Sequence, residues 1–447
     1  MPAKTAPTQA REEPMYTEEY RRKLVSPEEA AEAVPEGGAL IHGLTMAEPP
    51  ALLGAIAARV AAGGLSELTV YSLLPTKTAC ESILAPELCN AVKAYTWFVS
   101  ACDRDLVDEG VEDFIPCHFH QVPRLISDGP PLDVCVTTVS AMDTHGFFSL
   151  GTANDFTSTA ARKAGKLIVE VNRNMPRVFG QSLVHISEVA LIVENHVPVR
   201  PFMDGPALPE DCVIGQKVAE LVPNGATLQL GVGSLPGAVA DYLMDHKDLG
   251  VHTEVFGPAM ARLIQKGVIN GHRKSLHPYL HVYTVAQGDA DMLAFMHNNP
   301  SMASFPVSYV NHPQVIAQNR RMISINSLIQ VDLTGQCNAE FLAGHQISGT
   351  GGQLDFVRGA YDSPGGKSIL AFRSTARGGK ISRVVPRLEL GAAVTTPRMD
   401  AHYLVTEHGV ANLKGMSTKQ RAQAIIGLAH PDHREDLSRE ARKLHLA

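Results

Sequence analysis

Glu254 stands in the run Val251-His252-Thr253-Glu254-Val255-Phe256-Gly257-Pro258, whose β-branched and aromatic residues predict a buried strand closing at a proline turn. Desolvating a carboxylate costs several kcal/mol unless something compensates it. A glutamate in such a strand therefore has either a salt-bridge partner, the commoner explanation, or a chemical task. Two glycine-rich segments offer backbone N–H groups that such a task could use. Leu228-Gln229-Leu230-Gly231-Val232-Gly233-Ser234-Leu235-Pro236 reads as strand, turn and helix start, a geometry that aims N–H groups at an anion. Gly349-Thr350-Gly351-Gly352-Gln353-Leu354-Asp355-Phe356 lets a backbone approach a ligand without an intervening side chain. Each also reads as a plain structural turn.

Several other chemistries fail on spacing. Pro236 replaces the third glycine of a dinucleotide fingerprint. Gly365-Gly366-Lys367-Ser368 ends like a phosphate loop, but Tyr361 stands where its first glycine belongs. Ser234 lacks the glycine two positions on that a nucleophile elbow requires. Cys117-His118-Phe119-His120 has no nearby Cys/His pair to complete a metal site, so packing or substrate contact explains it better and no metal is expected.

The elements that position these residues come in two copies. Ala31 to Gly37 matches Ala219 to Gly225, which sets Pro35 188 positions before Pro223. Met142-Asp143-Thr144-His145-Gly146 matches Val331-Asp332-Leu333-Thr334-Gly335, and Leu191 to His196 matches Leu404 to His408 more loosely. Aligning the closing prolines Pro75 and Pro258 sets Glu254 opposite Tyr71, so only one copy carries the carboxylate. Apolar strands such as Leu167 to Val171, Ala190 to Val193 and Ser368 to Phe372 alternate with helical stretches. The predicted fold class is α/β, with two similar tandem domains, mostly parallel sheets and a site in the cleft between them. The expected divisions are a flexible tail at 1–18, a first domain at 19–203 and a second, carrying Glu254, at 204–447. Prolines and glycines cluster between Val199 and Pro209 at that boundary.

A formal charge of -7 argues against a general nucleic-acid binder, which needs surplus Lys and Arg. Seven cysteines without a C-x-x-C pair argue against disulfides and favour the cytoplasm. No run of 18 apolar residues predicts a membrane span.

From about Tyr20 onward the chain resembles the acetyl-CoA hydrolase/transferase group of family I CoA transferases, which includes 4-hydroxybutyrate, butyrate and succinate CoA-transferases. The resemblance rests on Val251 to Phe256, Gly231 to Leu235, Val331 to Gln336 with Ser348 to Phe356, and Val405-Thr406-Glu407-His408-Gly409. Cys337 and the loop from His345 to Ile347 depart from the pattern. The resemblance implies that Glu254 is a nucleophile forming an acyl-glutamyl anhydride and then a glutamyl-CoA thioester. It implies that the N–H groups of Val232 and Gly352 form an oxyanion hole and that Asn311 holds the carboxylate. Gly231, Val232, Gly233, Ser234, Leu235, Gly351, Gly352 and Gln353 are expected to touch CoA, which is a substrate and not a tightly bound cofactor. Glu407 is expected to support the site, and a homodimer or dimer-based assembly is expected.

Met46-Ala47-Glu48-Pro49-Pro50 and Cys117 to Pro123 resemble the branch that acts on itaconate with succinyl-CoA as donor. His42, His118, His120, Arg104 and Arg124 are the expected partners of a distal carboxylate, with His118 and His120 taken as substrate-binding. Acetate, butyrate or 4-hydroxybutyrate is the competing acceptor. A thioesterase and a non-catalytic acyl-CoA-binding protein are the competing functions.

Overall fold

A computed structural model of the chain describes residues 15–201, 205–231 and 233–447. Two sheets dominate it. The first has seven strands, in spatial order Leu191–Glu194, Lys166–Val171, Val134–Val139, Gly38–His42, Leu68–Ser72, Val92–Thr96 and Glu112–Phe114, all paired in parallel. The second contains the same succession: Tyr403–Thr406, Lys367–Ala371, Met322–Asn326, Thr227–Leu230, Gly250–Phe256, His281–Ala286 and Met302–Ser304. The duplication seen in sequence is thus a duplication of sheet topology. Parallel strands are covered on both faces by their crossover helices, so they read as continuous apolar runs. Every residue of Val134–Val139 and of His281–Ala286 is buried.

The repeat's second anchor is a turn made twice. Asp143 Oδ1 accepts from the N–H groups of His145 and Phe147, at 2.9 and 3.0 Å. Asp332 Oδ1 accepts from those of Thr334 and Gln336 at the same two distances. In both copies the aspartate mimics a backbone turn and the following glycine takes a positive φ.

The ladders correct one equivalence. Ala39 pairs with Thr69, and its counterpart Thr227 pairs with Gly250, so Glu254 falls level with Leu73 and not with Tyr71. The proline alignment slipped because strand Gly250–Phe256 runs past the level at which Leu68–Ser72 ends, so its closing proline comes two residues later. The slip is two residues, which keeps the side chain on the same face.

The halves are not separate bodies. Gly409–Asn412 extends one edge of the second sheet, and Phe179–Gly180, from the first half, extends the other by pairing with Met302–Ser304. Gly180 has φ +95, and a Cβ there would overlap the Ser304 carbonyl, so this approach requires glycine. Ala286 N–H also donates to Thr152 O at 2.7 Å. Residues assigned by sequence to the first domain thus complete the second sheet. The described part of 195–208 contains no helix or strand, and 202–204 lie outside the described residues. Helix Thr17–Lys23 begins inside the segment expected as a loose tail, because the Tyr20 hydroxyl donates to Glu194 at 2.7 Å and Tyr16 packs edge-on against His185. Residues 1–14 of that tail lie outside the described residues.

Candidate active site

In open parallel sheets, ligands bind beyond the carboxyl ends of the strands. Here those ends in both sheets border one cavity of about 250 Å³. Leu44, Leu73, Trp97 and Phe98 line it from the first half, and Gln229, Glu254 and Asn326 from the second. Leu73 and Glu254, equivalent in the repeat, therefore meet the same space. Gln229 and Asn326 close an amide pair on its wall, each donating to the other at 3.0 Å.

Glu254 is held from its own strand and from two neighbours. His252, two residues earlier on the same face, is fully buried, and burial pushes its pKa down to about 3. The neutral ring lies with Nε2 2.8 Å from Val310 O, where it donates and fixes the end of helix Val307–Val310. Asn311 follows directly, is itself buried, and donates from Nδ2 to Glu254 Oε2. On the other side lies Gly352, where a Cβ would overlap both Glu254 Oε2 and Asn311 Nδ2. The chain can pass so close to a carboxylate only as glycine.

Burial pushes the Glu254 carboxyl up to about 7, opposed by the Asn311 amide, assisted by the negative charge of Asp355 and opposed again by the Gly352 N–H. No cation is among these influences, so the salt-bridged reading of this glutamate is not realised. Burial raises Glu48, Asp155 and Glu170 to about 7 as well. Each of those is occupied structurally: Glu170, for example, accepts from Ala51 N, Leu52 N and Asn195 Nδ2. Of the four, Glu254 alone borders the cavity between the halves.

The other residues singled out by sequence divide into two groups. Gly231, Gly351, Gly352 and Gln353 line the cavity beside Glu254. Gly231, Gly233 and Ser234 line an adjoining cavity of about 210 Å³, which shares Leu230, Gly231, Val255 and Gln287 with the first. Ser234 and Leu235 begin helix Ser234–Tyr242, and Ser234 Oγ donates to Asp211, which a bidentate Arg373 also holds. Val232 lies outside the described residues.

Glu407 does not reach the Glu254 cavity; it accepts from Ser374 N–H at 2.9 Å. The cations expected to read a distal carboxylate are elsewhere too. His42 lies against Gly43 O, Arg104 donates to Ile347 O, and Arg124 is an exposed partner of Asp128. His118 and His120 flank Phe119, which does line the cavity, but neither ring does. Sequence could not separate them, because alternate residues of an irregular turn have no fixed facing. Among the described residues no group of three or more His, Cys, Asp or Glu is placed to hold a metal, and no helix is long and apolar enough to cross a membrane.

Known proteins share this architecture. The acetyl-CoA hydrolase/transferase N-terminal domain model matches residues 8–204, and the corresponding C-terminal domain model matches 288–441. A succinyl-CoA:cyclohexane-1-carboxylate CoA transferase of Geobacter metallireducens is 42% identical over 96% of this chain and 97% of its own. A 4-hydroxybutyrate coenzyme A transferase of Clostridium kluyveri is 40% identical over 96% of this chain and 99% of its own. The crystal structure of RipA from Yersinia pestis superposes with a TM-score of 0.92 at 47% identity, covering 96% of this chain and 99% of that one. With two matching domain models, near-complete coverage by such relatives and one shared fold, this chain is a CoA-transferase of the acetyl-CoA hydrolase/transferase family.

Proposed function

We propose that the protein transfers CoA from succinyl-CoA to a short carboxylic acid, with itaconate as the preferred acceptor, through Glu254. The Glu254 carboxylate attacks the thioester carbonyl, forming an acyl-glutamyl anhydride and releasing CoA thiolate. The thiolate attacks the glutamyl carbonyl, which releases the donor acid and leaves a glutamyl-CoA thioester. The acceptor carboxylate then attacks the glutamyl carbonyl of that thioester, expelling CoA thiolate and forming a second acyl-glutamyl anhydride, and the thiolate attacks the acceptor's acyl carbonyl to give the new acyl-CoA and free Glu254. A carboxylate suits the task because anhydride and thioester both retain the activation of the substrate, whereas an alcohol would yield a stable ester.

The observation that carries this reading is the Glu254 carboxyl held between Asn311 and Gly352 at a cavity walled by both halves. In the proposal, Asn311 orients the nucleophile, and the N–H groups of Gly352 and Val232 receive the developing oxyanion. CoA extends into the adjoining cavity along Gly231, Gly233 and Ser234. Succinyl-CoA as donor is supported by the relative from Geobacter metallireducens. Itaconate is supported by the segments Met46 to Pro50 and Cys117 to Pro123. Its distal carboxylate would meet hydrogen-bond donors such as Gln229, Asn326 and Ser327 and not an ion pair.

The lining also favours a second reading. No Lys, Arg or His lines the described wall of this cavity, which suits a monocarboxylic acid with an apolar chain. Initial rates with itaconate, succinate, acetate and butyrate as acceptors distinguish the two, and a preference for butyrate over itaconate would overturn the dicarboxylate assignment. The reaction path is tested by intact-protein mass after succinyl-CoA and borohydride, beside Glu254→Ala. The thioester is reduced to an alcohol at Glu254, so only the wild-type protein should change mass. Release of CoA without an acceptor acid would instead mark a hydrolase.

A further inference from the structure

His120 lies where the two arms that hold Glu254 meet. Its ring Nδ1 is 2.7 Å from Asp355 Oδ1, and its main-chain N–H donates to Asp355 Oδ2 at 3.3 Å. Both hydrogen-bond partners of the Asp355 carboxylate among the described residues therefore come from this one residue. Asp355 is 2% exposed and sits in the first turn of helix Gln353–Asp362, whose N-cap is Gly352. The His120 ring also meets that of His312 edge-on at 5.5 Å between centroids, and His312 directly follows Asn311. The preceding residue adds a third tie, since Phe119 N–H donates to Gly351 O at 3.0 Å. The His118 ring stacks on that of His120, the centroids 6.0 Å apart.

These contacts cross between the halves. One short turn of the first half, Phe119–Gln121, touches the glycine loop, the helix that follows it and the residue after Asn311, all from the second half. The His120 ring does not border the cavity, so it reaches the reacting atoms only through these neighbours.

We infer that His120 is a positioning residue: its bond to Asp355 and its ring against His312 set the spacing between the Gly349–Gly352 loop and Asn311, the two supports of Glu254. The physical basis is twofold. Without the imidazole, a buried carboxylate loses its side-chain donor and must rearrange or find water. The loop it anchors then shifts relative to Asn311, and misplacement on the order of 1 Å near reacting groups costs up to about 10²-fold in rate. The assignment replaces the substrate contact expected for His120, and it rests on Glu254 as the nucleophile.

The test compares His120→Leu, which is apolar, with His120→Asn, whose amide can donate to Asp355. Steady-state kinetics with succinyl-CoA and single-turnover trapping of the thioester are measured for each, with Asp355→Asn and Glu254→Ala alongside. In His120→Leu we expect kcat and the trapping rate to fall about 10- to 100-fold, with KM for succinyl-CoA changing less than about threefold. His120→Asn should recover to within about threefold of wild type. Should His120→Leu not fold, Asp355→Asn carries the same expected split between kcat and KM. The inference is overturned if His120→Leu keeps at least half the wild-type kcat, or if His120→Asn is as slow as His120→Leu. A Glu254→Ala protein that remains active would sink the nucleophile reading itself, an outcome distinct from either.

Discussion

The amide of Asn311 donates to the same oxygen of Glu254 that a side chain at position 352 would strike. One carboxyl oxygen is thus fixed from two directions, by a side chain supplied after helix Val307–Val310 and by a main chain stripped of its Cβ. Neither lies near Glu254 in sequence.

Removing the first support should slow chemistry more than binding. For Asn311→Ala, steady-state kinetics should show kcat reduced about 10- to 100-fold, a loss of roughly 1.4–3 kcal/mol, with a small change in KM. The amide favours the ionised carboxylate, so its loss should also move the acid limb of the pH profile upward. An unchanged profile would disconnect Asn311 from the titrating group.

The Glu254 carboxyl, pushed up to about 7, is only partly ionised at neutral pH. A nucleophile must be ionised, so kcat/KM should rise with pH through about 7 and fall about tenfold per unit below 6. An acid limb near the ordinary glutamate value of 4.5 would show that the free enzyme holds this group solvated.

Filling the second support should be worse. Gly352→Ala places a methyl group against Glu254 and Asn311, and we expect at least about a 10²-fold loss in kcat with roughly 1–3 kcal/mol of destabilisation. Activity and urea midpoint measured on one preparation check both. Wild-type kcat would mean that the loop stands further from Glu254 in solution.

The same carboxyl should cost stability where it works. Its folded pKa is about 7 against 4.5 in the unfolded chain, so its favourable contribution is complete below 4.5 and is lost as pH rises through 7. Glu254→Gln does not titrate and should gain on the wild type across that window. At pH 8 we expect an advantage of roughly 1–3 kcal/mol over the difference at pH 4.5, read as denaturant midpoints. A difference that does not vary with pH would refute the linkage.

Much of the architecture was legible because its signals are local. The predicted strands Leu167 to Val171, Ala190 to Val193 and Ser368 to Phe372 lie within a residue or two of Lys166–Val171, Leu191–Glu194 and Lys367–Ala371. Two-face burial in a parallel sheet writes itself as an apolar run. The segments at Asp143 and Asp332 were legible as matching anchors for a similar reason, since the turn each aspartate makes with its own next residues needs no distant partner. His120 shows the opposite case. Its residue type suggested a polar contact, but Asp355 lies 235 positions away in sequence, and nothing local could say whether the ring faced substrate or helix.

The sequence by itself determined the duplicated α/β plan, the carboxylate present in only one copy, and the glycines that allow a backbone to approach it. Each follows from residue type and short-range spacing. Only the tertiary structure decided that Leu73 is the counterpart of Glu254, that Phe179–Gly180 completes the other half's sheet, and that the expected histidines and arginines do not line the Glu254 cavity. Those outcomes depend on ladder register and on the packing of one half against the other, which are set by contacts between residues far apart in the chain.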